Sequence, residues 1–219
     1  MIPYHWHGET LILHPSRCIY WEKESMLILS DLHLGKSGHF RKEGIPIPQK
    51  VYEQDLIRLF DTIRYFGPDE VMIVGDLFHS RVNREWDLFA RWRADHAKVH
   101  ITLVLGNHDR LPEGLPGKLS MDVFPFLQRG PFAFQHNAED ANGPSGNGHG
   151  VISGHVHPAI RVSAGARQSL RLPCFHFSPT TCTLPAFSIF SGHHTIKPKA
   201  GDSVFAITGE DIIKVQGRP

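Results

Sequence analysis

No apolar run in this chain approaches the roughly 20 residues that a bilayer-crossing helix requires. The longest runs are strand-sized, and the stretch from Met1 to His7 lacks the basic and then apolar layout of a secretion signal. The expectation is a soluble, cytoplasmic protein with no membrane partner. Cysteine is equally sparse: Cys18, Cys174 and Cys182 are odd in number and show no CxxC spacing. That pattern argues against a disulfide framework or a thiolate zinc knuckle and leaves buried, reduced thiols. An excess of one charge is missing as well. With 23 basic against 22 acidic residues and a formal net charge of +1, no whole-molecule field draws the chain to nucleic acid. A polyanion must be held by local patches, and no repeat of solenoid length is present.

What the chain does have is 16 histidines and enough apolar content, 41% of 219 residues, to bury a sizeable core. One α/β domain covering residues 1–219 is the economical organisation. Runs at 26–30, 70–74 and 100–105 read as strands buried on both faces. Between the first two, residues 49–66 place Val51, Leu56, Leu59, Phe60, Ile63 and Phe66 on a helical stripe that Gly67-Pro68 stops. Between the next two, residues 84–96 carry Trp86, Phe89 and Trp92 at helical spacing. Alternation of strand and helix predicts right-handed parallel crossovers. After Gly106 the runs 132–135, 151–153, 174–177, 186–190, 203–207 and 212–215 predict a second, largely antiparallel sheet. The two sheets would pack face to face with helices outside, their strand ends meeting at one edge. Residues 142–148 are turn formers and read as a mobile loop.

At the ends of these runs fall Asp31-Leu32-His33, Gly75-Asp76, Gly106-Asn107-His108-Asp109, His136-Asn137 and Gly154-His155-Val156-His157. Residues i and i+2 share a side in a strand, so Asp31 with His33, and His155 with His157, can each turn toward one ion where the strand frays. Asp76, ending the central run, is the natural carboxylate to bridge two cations, and Asn107 can offer its carbonyl oxygen. Together these are the donors for two adjacent divalent metals that activate water against a phosphate ester. For the single histidine, His136 is preferred to His149, because it follows the apolar run Phe132-Ala133-Phe134-Gln135 and has rigid support, whereas His149 sits among glycines. His79 is open between a supporting group, a substrate contact and a plain surface residue, and His193-His194 reads as a solvated turn.

In this order the five signatures resemble the calcineurin-like metallophosphoesterase superfamily. The resemblance implies an α/β fold, a two-sheet β-sandwich flanked by helices in four layers, α/β/β/α. It puts Asp31, His33, Asp76 and His157 on one metal and Asp76, Asn107, His136 and His155 on the other. His108 becomes the catalytic histidine beside the scissile phosphate, and Asp109 is expected to orient its ring by a hydrogen bond. The implied reaction is attack of a metal-bridging hydroxide on phosphorus. Manganese is the expected metal, and the donors also suit iron or zinc.

Finer features are similar to the bacterial ligase-associated phosphoesterases of the PdeM group. They are the stretch Gly35-Lys36-Ser37-Gly38-His39-Phe40-Arg41-Lys42-Glu43-Gly44-Ile45-Pro46-Ile47-Pro48, Gly75-Asp76-Leu77-Phe78-His79-Ser80, Gly154-His155-Val156-His157-Pro158 and Leu184-Pro185-Ala186-Phe187. This likeness implies a manganese-dependent DNA endonuclease acting in DNA repair, in functional association with a DNA ligase, a helicase and an exonuclease-like protein. Lys36, His39 and Arg41, with His79 and Arg81, are the expected substrate contacts. Few such contacts and a near-neutral charge favour single-stranded or flexible DNA. Two departures, at Ser188-Ile189-Phe190-Ser191-Gly192-His193-His194 and at residues 142–148, touch no expected ligand. The alternatives are a small-molecule hydrolase, either a nucleotide phosphodiesterase or a UDP-sugar pyrophosphatase, and a non-catalytic scaffold. A lipid-directed pyrophosphatase should carry an amphipathic cap after the third motif, where Pro112, Pro116 and Pro125 break residues 111–128. The intact ligand set argues against the scaffold.

Overall fold

The computed structural model describes residues 1–34, 51–79, 84–140, 148–163 and 169–215. Lys36, His39, Arg41 and Arg81, together with residues 142–147, lie outside the described residues. The chain opens with antiparallel strands β1 (Ile2–Trp6), β2 (Glu9–His14) and β3 (Cys18–Trp21), which lead into β4 (Met26–Leu29). Strands β5 (Glu70–Val74), β6 (His100–Val104) and β7 (Met121–Phe124) then add in parallel. Helices α1 (Val51–Phe66) and α2 (Arg84–Asp95) make the crossovers, and a short α3 (Leu115–Lys118) precedes β7. These strands form one seven-stranded sheet in the order β1 to β7.

The side chains of β4 and β5 explain why their runs are apolar throughout. Leu27, Leu29, Val71 and Ile73 pack with Leu56, Leu59 and Ile63 of α1 and Trp86 and Phe89 of α2. Met26, Ile28, Met72 and Val74 alternate with them and join the core between the sheets, against Phe132, Phe134, Ile152, Phe175 and Phe205. Each strand is therefore buried on both sides, and no polar face interrupts its sequence.

The second sheet contains β8 (Leu127–Arg129), β9 (Phe132–Phe134), β10 (Gly150–Ser153), β11 (Pro158–Ser163), β12 (Ser169–Phe177), β13 (Thr181–Thr183), β14 (His194–Thr195), β15 (Ser203–Ile207) and β16 (Ile212–Val215). Its main path runs β14-β11-β12-β13-β10-β9-β8, with β15 on β12 and β16 on β15. The expected sandwich of two sheets is what forms, with α1 and α2 on the outer face of the first sheet. On the outer face of the second, Cys174, Val204 and Ala206 gather with Ile160 in a smaller apolar cluster.

Three expectations change. The second sheet is mixed, because β9, β10 and β13 run parallel to one another and β11 runs parallel to β14. Residues 186–190 form no strand. Their backbone instead bonds across the end of β4, Phe187 N–H to the Ser30 carbonyl (2.8 Å) and Ser188 N–H to the Asp31 carbonyl (3.1 Å). The run is apolar because Ala186 and Phe187 are fully buried there, not because it joins a ladder. The first three strands extend the parallel core on its antiparallel side. All three cysteines are buried free thiols, and burial pushes them well above their ordinary range, as expected for inert packing. Among the described residues no helix is long and apolar enough to cross a membrane.

Candidate metal centre

The sequence motifs meet where β4, β5, β6, β9 and β10 end. Five of their residues hold the left-handed backbone conformation: Asp31 (φ 55°), His33 (49°), Asp76 (52°), His155 (68°) and His157 (49°). That conformation costs a non-glycine residue about 1–2 kcal/mol and persists where surrounding bonds over-determine it. Here they do. Asp31 N–H donates to the Gly75 carbonyl at 3.0 Å, His33 N–H to the Asp76 carbonyl at 2.9 Å, and Gly154 N–H to the His136 carbonyl at 3.0 Å. The crossed backbone bonds lace the first motif to the second and the fourth to the fifth.

Two motif glycines are present because other side chains lie against them. A Cβ on Gly106 would stand 2.2 Å from Asp76 Oδ1 and 2.3 Å from the Asp76 backbone nitrogen. At Gly75, φ is +81° and a Cβ would fall 2.1 Å from His136 Nδ1. Glycine lets the strand ends close to ligand distance.

Asp31 Oδ1 is the focus of the side chains. It lies 2.9 Å from His157 Nε2, 3.6 Å from His33 Nε2 and 4.0 Å from His136 Nε2. Asp76 Oδ2 lies 3.3 Å from His136 Nε2 and 3.9 Å from His33 Nε2. Two triads result, Asp31/His33/His157 and Asp31/Asp76/His136, each with its ligand atoms within 4.8 Å of one another. Asp31 is the carboxylate common to both, while Asp76, expected as the bridge, stands in one triad and reaches toward His33 of the other.

The donor set fits a divalent cation on its own chemistry. Asp31 Oδ1 and His136 Nε2 are fully buried, and the polar atoms facing them are the other carboxylate and imidazole atoms of the same cluster, a concentration of donors that a cation would hold together. The imidazoles are also aimed. His136 Nδ1 is 3.0 Å from the Val74 carbonyl and His157 Nδ1 is 2.9 Å from the Gly192 carbonyl. A carbonyl only accepts, so each Nδ1 carries a hydrogen and each Nε2 faces the carboxylates, the atom that can offer a lone pair to a cation once it has given up any proton it holds. Sequence reasoning gives no hint of Val74 or Gly192 in this role, since every residue type has a carbonyl.

The remaining expected residues fall around this cluster. His155 N–H donates to Asp31 Oδ2 (3.2 Å), and its ring centroid lies 5.2 Å from that of His136. His108 N–H donates to Asp76 Oδ1 (3.0 Å), its Nε2 is 4.0 Å from Asp76 Oδ2, and its side chain is 43% exposed at the mouth. Asn107 is exposed on the same loop, between Gly106 and His108. His79 joins the imidazoles, its ring 4.8 Å from His108 and 5.3 Å from His33. His149 stays outside, 2.6 Å from the Gln128 side-chain amide. Asp109 differs from its expected role. Its two oxygens accept the backbone N–H groups of Phe78 and Gly106, both at 2.9 Å, so it ties the second motif's loop to the third instead of orienting His108. As sequence neighbours the two side chains diverge, His108 outward and Asp109 inward.

Electrostatics follow from burial and pairing. Burial alone would raise Asp76, but the His136 ring, the His108 N–H and His33 outweigh it and hold the carboxyl at about 2. Burial would likewise lower His136, and Asp76 and Asp31 overcome it, pushing the imidazole up to about 9. Asp109 is pushed up to about 6, mainly by burial, against the two N–H groups that lower it.

Comparison with known proteins agrees with this geometry. A family model described as calcineurin-like phosphoesterase matches residues 25–155. No match was found among curated proteins. Among solved structures, the chain is similar to Pseudomonas putida nuclease MPE, with 29% identity and a TM-score of 0.81 over 98% of this chain and 99% of that one. More remote similarities are to Yfce, a phosphoesterase from E. coli (17% identity, TM-score 0.47, 87% and 97% covered), and to AQ665 from Aquifex aeolicus, a protein of unknown function (16%, 0.42, 60% and 78%).

Proposed function

The chain belongs to the calcineurin-like phosphoesterase family and is a metal-dependent phosphoesterase, and from that premise we propose that it is a two-metal DNA endonuclease. Its substrate in this reading is single-stranded or flexible DNA, its metal manganese, and its setting DNA repair in the cytoplasm, in functional association with a DNA ligase, a helicase and an exonuclease-like protein. The observation that carries the reading is the end-to-end similarity to a nuclease, joined to a buried carboxylate–imidazole cluster with an exposed histidine at its mouth.

Asp31, His33, Asp76 and His157 would hold one cation, and Asp76, Asn107, His136 and His155 the other. Bound divalent ions supply Lewis-acid stabilisation of phosphoryl oxygens and a water acidic enough to attack at neutral pH. The chain's own contribution is position and protons. His108 reaches out from the Asp76 rim, where it can protonate the leaving ester oxygen or stabilise charge on phosphorus. His79, whose ring lies 4.8 Å from that of His108, is proposed to contact the same phosphate, and Lys36, His39, Arg41 and Arg81 to hold flanking phosphates.

A panel with added manganese tests the proposal: circular single-stranded DNA, an aryl phosphodiester and a nucleotide-sugar pyrophosphate. The circle is expected to be opened, and His108→Ala to slow that opening by about 10²–10⁴-fold. Hydrolysis of the pyrophosphate with an intact circle would replace the endonuclease by a small-molecule hydrolase.

The Asp76–His136 pair gives a pH prediction. In the metal-free protein the His136 value of about 9 lies above the ordinary 6.5. Its stabilising share is thus complete below 6.5 and is lost as pH rises through about 9. The Asp76 value of about 2 lies below the ordinary 3.8, so its share is present above 3.8 and lost as pH falls through about 2. A cation on His136 Nε2 must displace that imidazole's proton. Calorimetric titration of manganese at pH 7, in buffers of different ionisation enthalpy, is expected to show about one proton released per protein. Heats independent of the buffer would remove His136 from the ligand set.

A further inference from the structure

We propose that Arg17, Asp55 and Arg58 are positioning residues that set the metal centre from behind, through the backbone of residues 186–192. The inference rests on reading the carboxylate–imidazole cluster as a metal centre.

Asp55 and Arg58 lie one turn apart on α1 and bond to each other at 2.8 Å. Arg17 sits in the turn between β2 and β3. All three reach the same loop. Arg17 donates to the carbonyls of Ala186 (3.2 Å) and Ser188 (2.9 Å), and Arg58 donates to the carbonyl of Phe187 while its guanidinium lies 4.4 Å over that ring. Asp55 Oδ1 accepts the Ile189 N–H at 3.3 Å. On its other side the loop meets the metal ligands. Phe187 N–H donates to the Ser30 carbonyl, Ser188 N–H to the Asp31 carbonyl, and the Gly192 carbonyl holds His157 Nδ1.

The planar trans peptide links the two sides. Its C=O and N–H point in opposite directions, so drawing one toward a guanidinium aims the other away from it. In the unit joining Ala186 to Phe187, the carbonyl goes to Arg17 and the N–H to Ser30. In the next unit the carbonyl goes to Arg58 and the N–H to Asp31. Two successive peptide planes are thus gripped between half-buried guanidinium groups and the end of β4. The second grip bears on Asp31, whose left-handed backbone is fixed on one side by Gly75 and on the other by Ser188.

Stability alone is a poor reason for this arrangement. Asp55 is buried and both guanidinium groups are partly withdrawn from water, so the cluster carries a desolvation penalty, and apolar residues of similar volume often stabilise a fold as well or better. What apolar residues cannot do is orient a carbonyl. The cluster's distinctive contribution is direction, passed through the loop to Asp31 and His157.

The test separates direction from stability. Arg17→Met, Arg58→Met and the paired Asp55→Leu/Arg58→Met are compared with the unaltered chain by thermal melting without metal and by manganese titration followed by electron paramagnetic resonance. The paired variant is expected to keep its melting temperature, because the buried carboxylate leaves together with its ion-pair partner while half-buried Arg17 keeps its two carbonyls, and to bind manganese about 10-fold or more weaker. Arg17→Met should weaken manganese to a similar degree. Arg17 and Arg58 line a cleft of about 650 Å³, so methylguanidinium has a route to the site and is expected to restore manganese affinity to Arg58→Ala. A paired variant that melts and binds manganese like the unaltered chain overturns the proposal. An unaltered chain that takes up no divalent cation is a separate result and overturns the metal centre itself, and the positioning role with it.

Discussion

Asp31→Asn is expected to leave the protein folded and to lower phosphodiester cleavage by about 10³-fold or more, the scale of several kcal/mol that metal charge stabilisation supplies. The carboxylate is common to both ligand triads, and its second oxygen accepts the His155 N–H. In the proposed assignment Asp31 is a direct ligand of one cation and holds the backbone of His155, a ligand of the other, so removing its charge weakens the first position directly and the second through His155. Asparagine is the informative replacement because it tolerates the left-handed backbone that Asp31 holds at φ 55°. The backbone strain is unchanged, while the charge is lost and one of the two acceptor oxygens becomes an amide NH2. Elemental analysis of manganese-loaded protein should show the cations gone, with the circular dichroism spectrum retained. Two equivalents of manganese in the variant, with cleavage within 10-fold of the original, would show that Asp31 is not a ligand.

Gly106→Ala tests the backbone in place of the donors. Its new Cβ would meet Asp76 Oδ1 at 2.2 Å and the Asp76 nitrogen at 2.3 Å, and the nitrogen belongs to the buried backbone that follows β5. The third motif's loop must move instead. That movement breaks the bonds from Gly106 N–H to Asp109 and from His108 N–H to Asp76. Overpacking of this kind costs about 1–3 kcal/mol, and a shift of about 1 Å at a reacting group costs about 10²-fold in rate. Gly117→Ala is the control, since a Cβ there meets nothing within 4 Å. Thermal melts and the circle-opening assay on both variants should show a marked loss for the first and little change for the second. Equal behaviour would mean that the loop yields freely and that Gly106 has no packing role.

How much of this was legible in the sequence depended on the kind of information each feature carries. The parallel core from β4 to β6 was readable because strands buried on both faces leave unbroken apolar runs, and α1 because its stripe ends at Gly67-Pro68. The segment 186–190 misled for the same reason. Phe187 is fully buried, and burial marks a plugging loop as strongly as it marks a strand. The parallel pairing of β9, β10 and β13 left no local trace, since it depends on partners far apart in the chain. At the candidate metal centre, the side chains that gather at the strand ends are visible in the sequence motifs, and the backbone roles are not. His136 follows an apolar run and lies in the cluster while His149 lies outside it, whereas the carbonyls of Val74 and Gly192 that aim the rings are invisible in any alphabet of side chains. Asp109 was assigned to the wrong neighbour because adjacency in sequence says little about which way two side chains point. Arg17, Asp55 and Arg58 looked like ordinary charged residues, and only the loop between them and Asp31 gives them a common purpose.

The left-handed turns at Asp31, His33, Asp76, His155 and His157 also bear on protein engineering. Copying these side chains onto another sheet with ordinary strand torsions would point them along that sheet's normal pleat, and they would not converge. A successful graft must carry the kinks and the crossing backbone bonds that enforce them. For the same reason, lengthening either spacer by one residue, at Leu32 or at Val156, should be harsher than most substitutions nearby, because it puts the next imidazole out of step with its own twist.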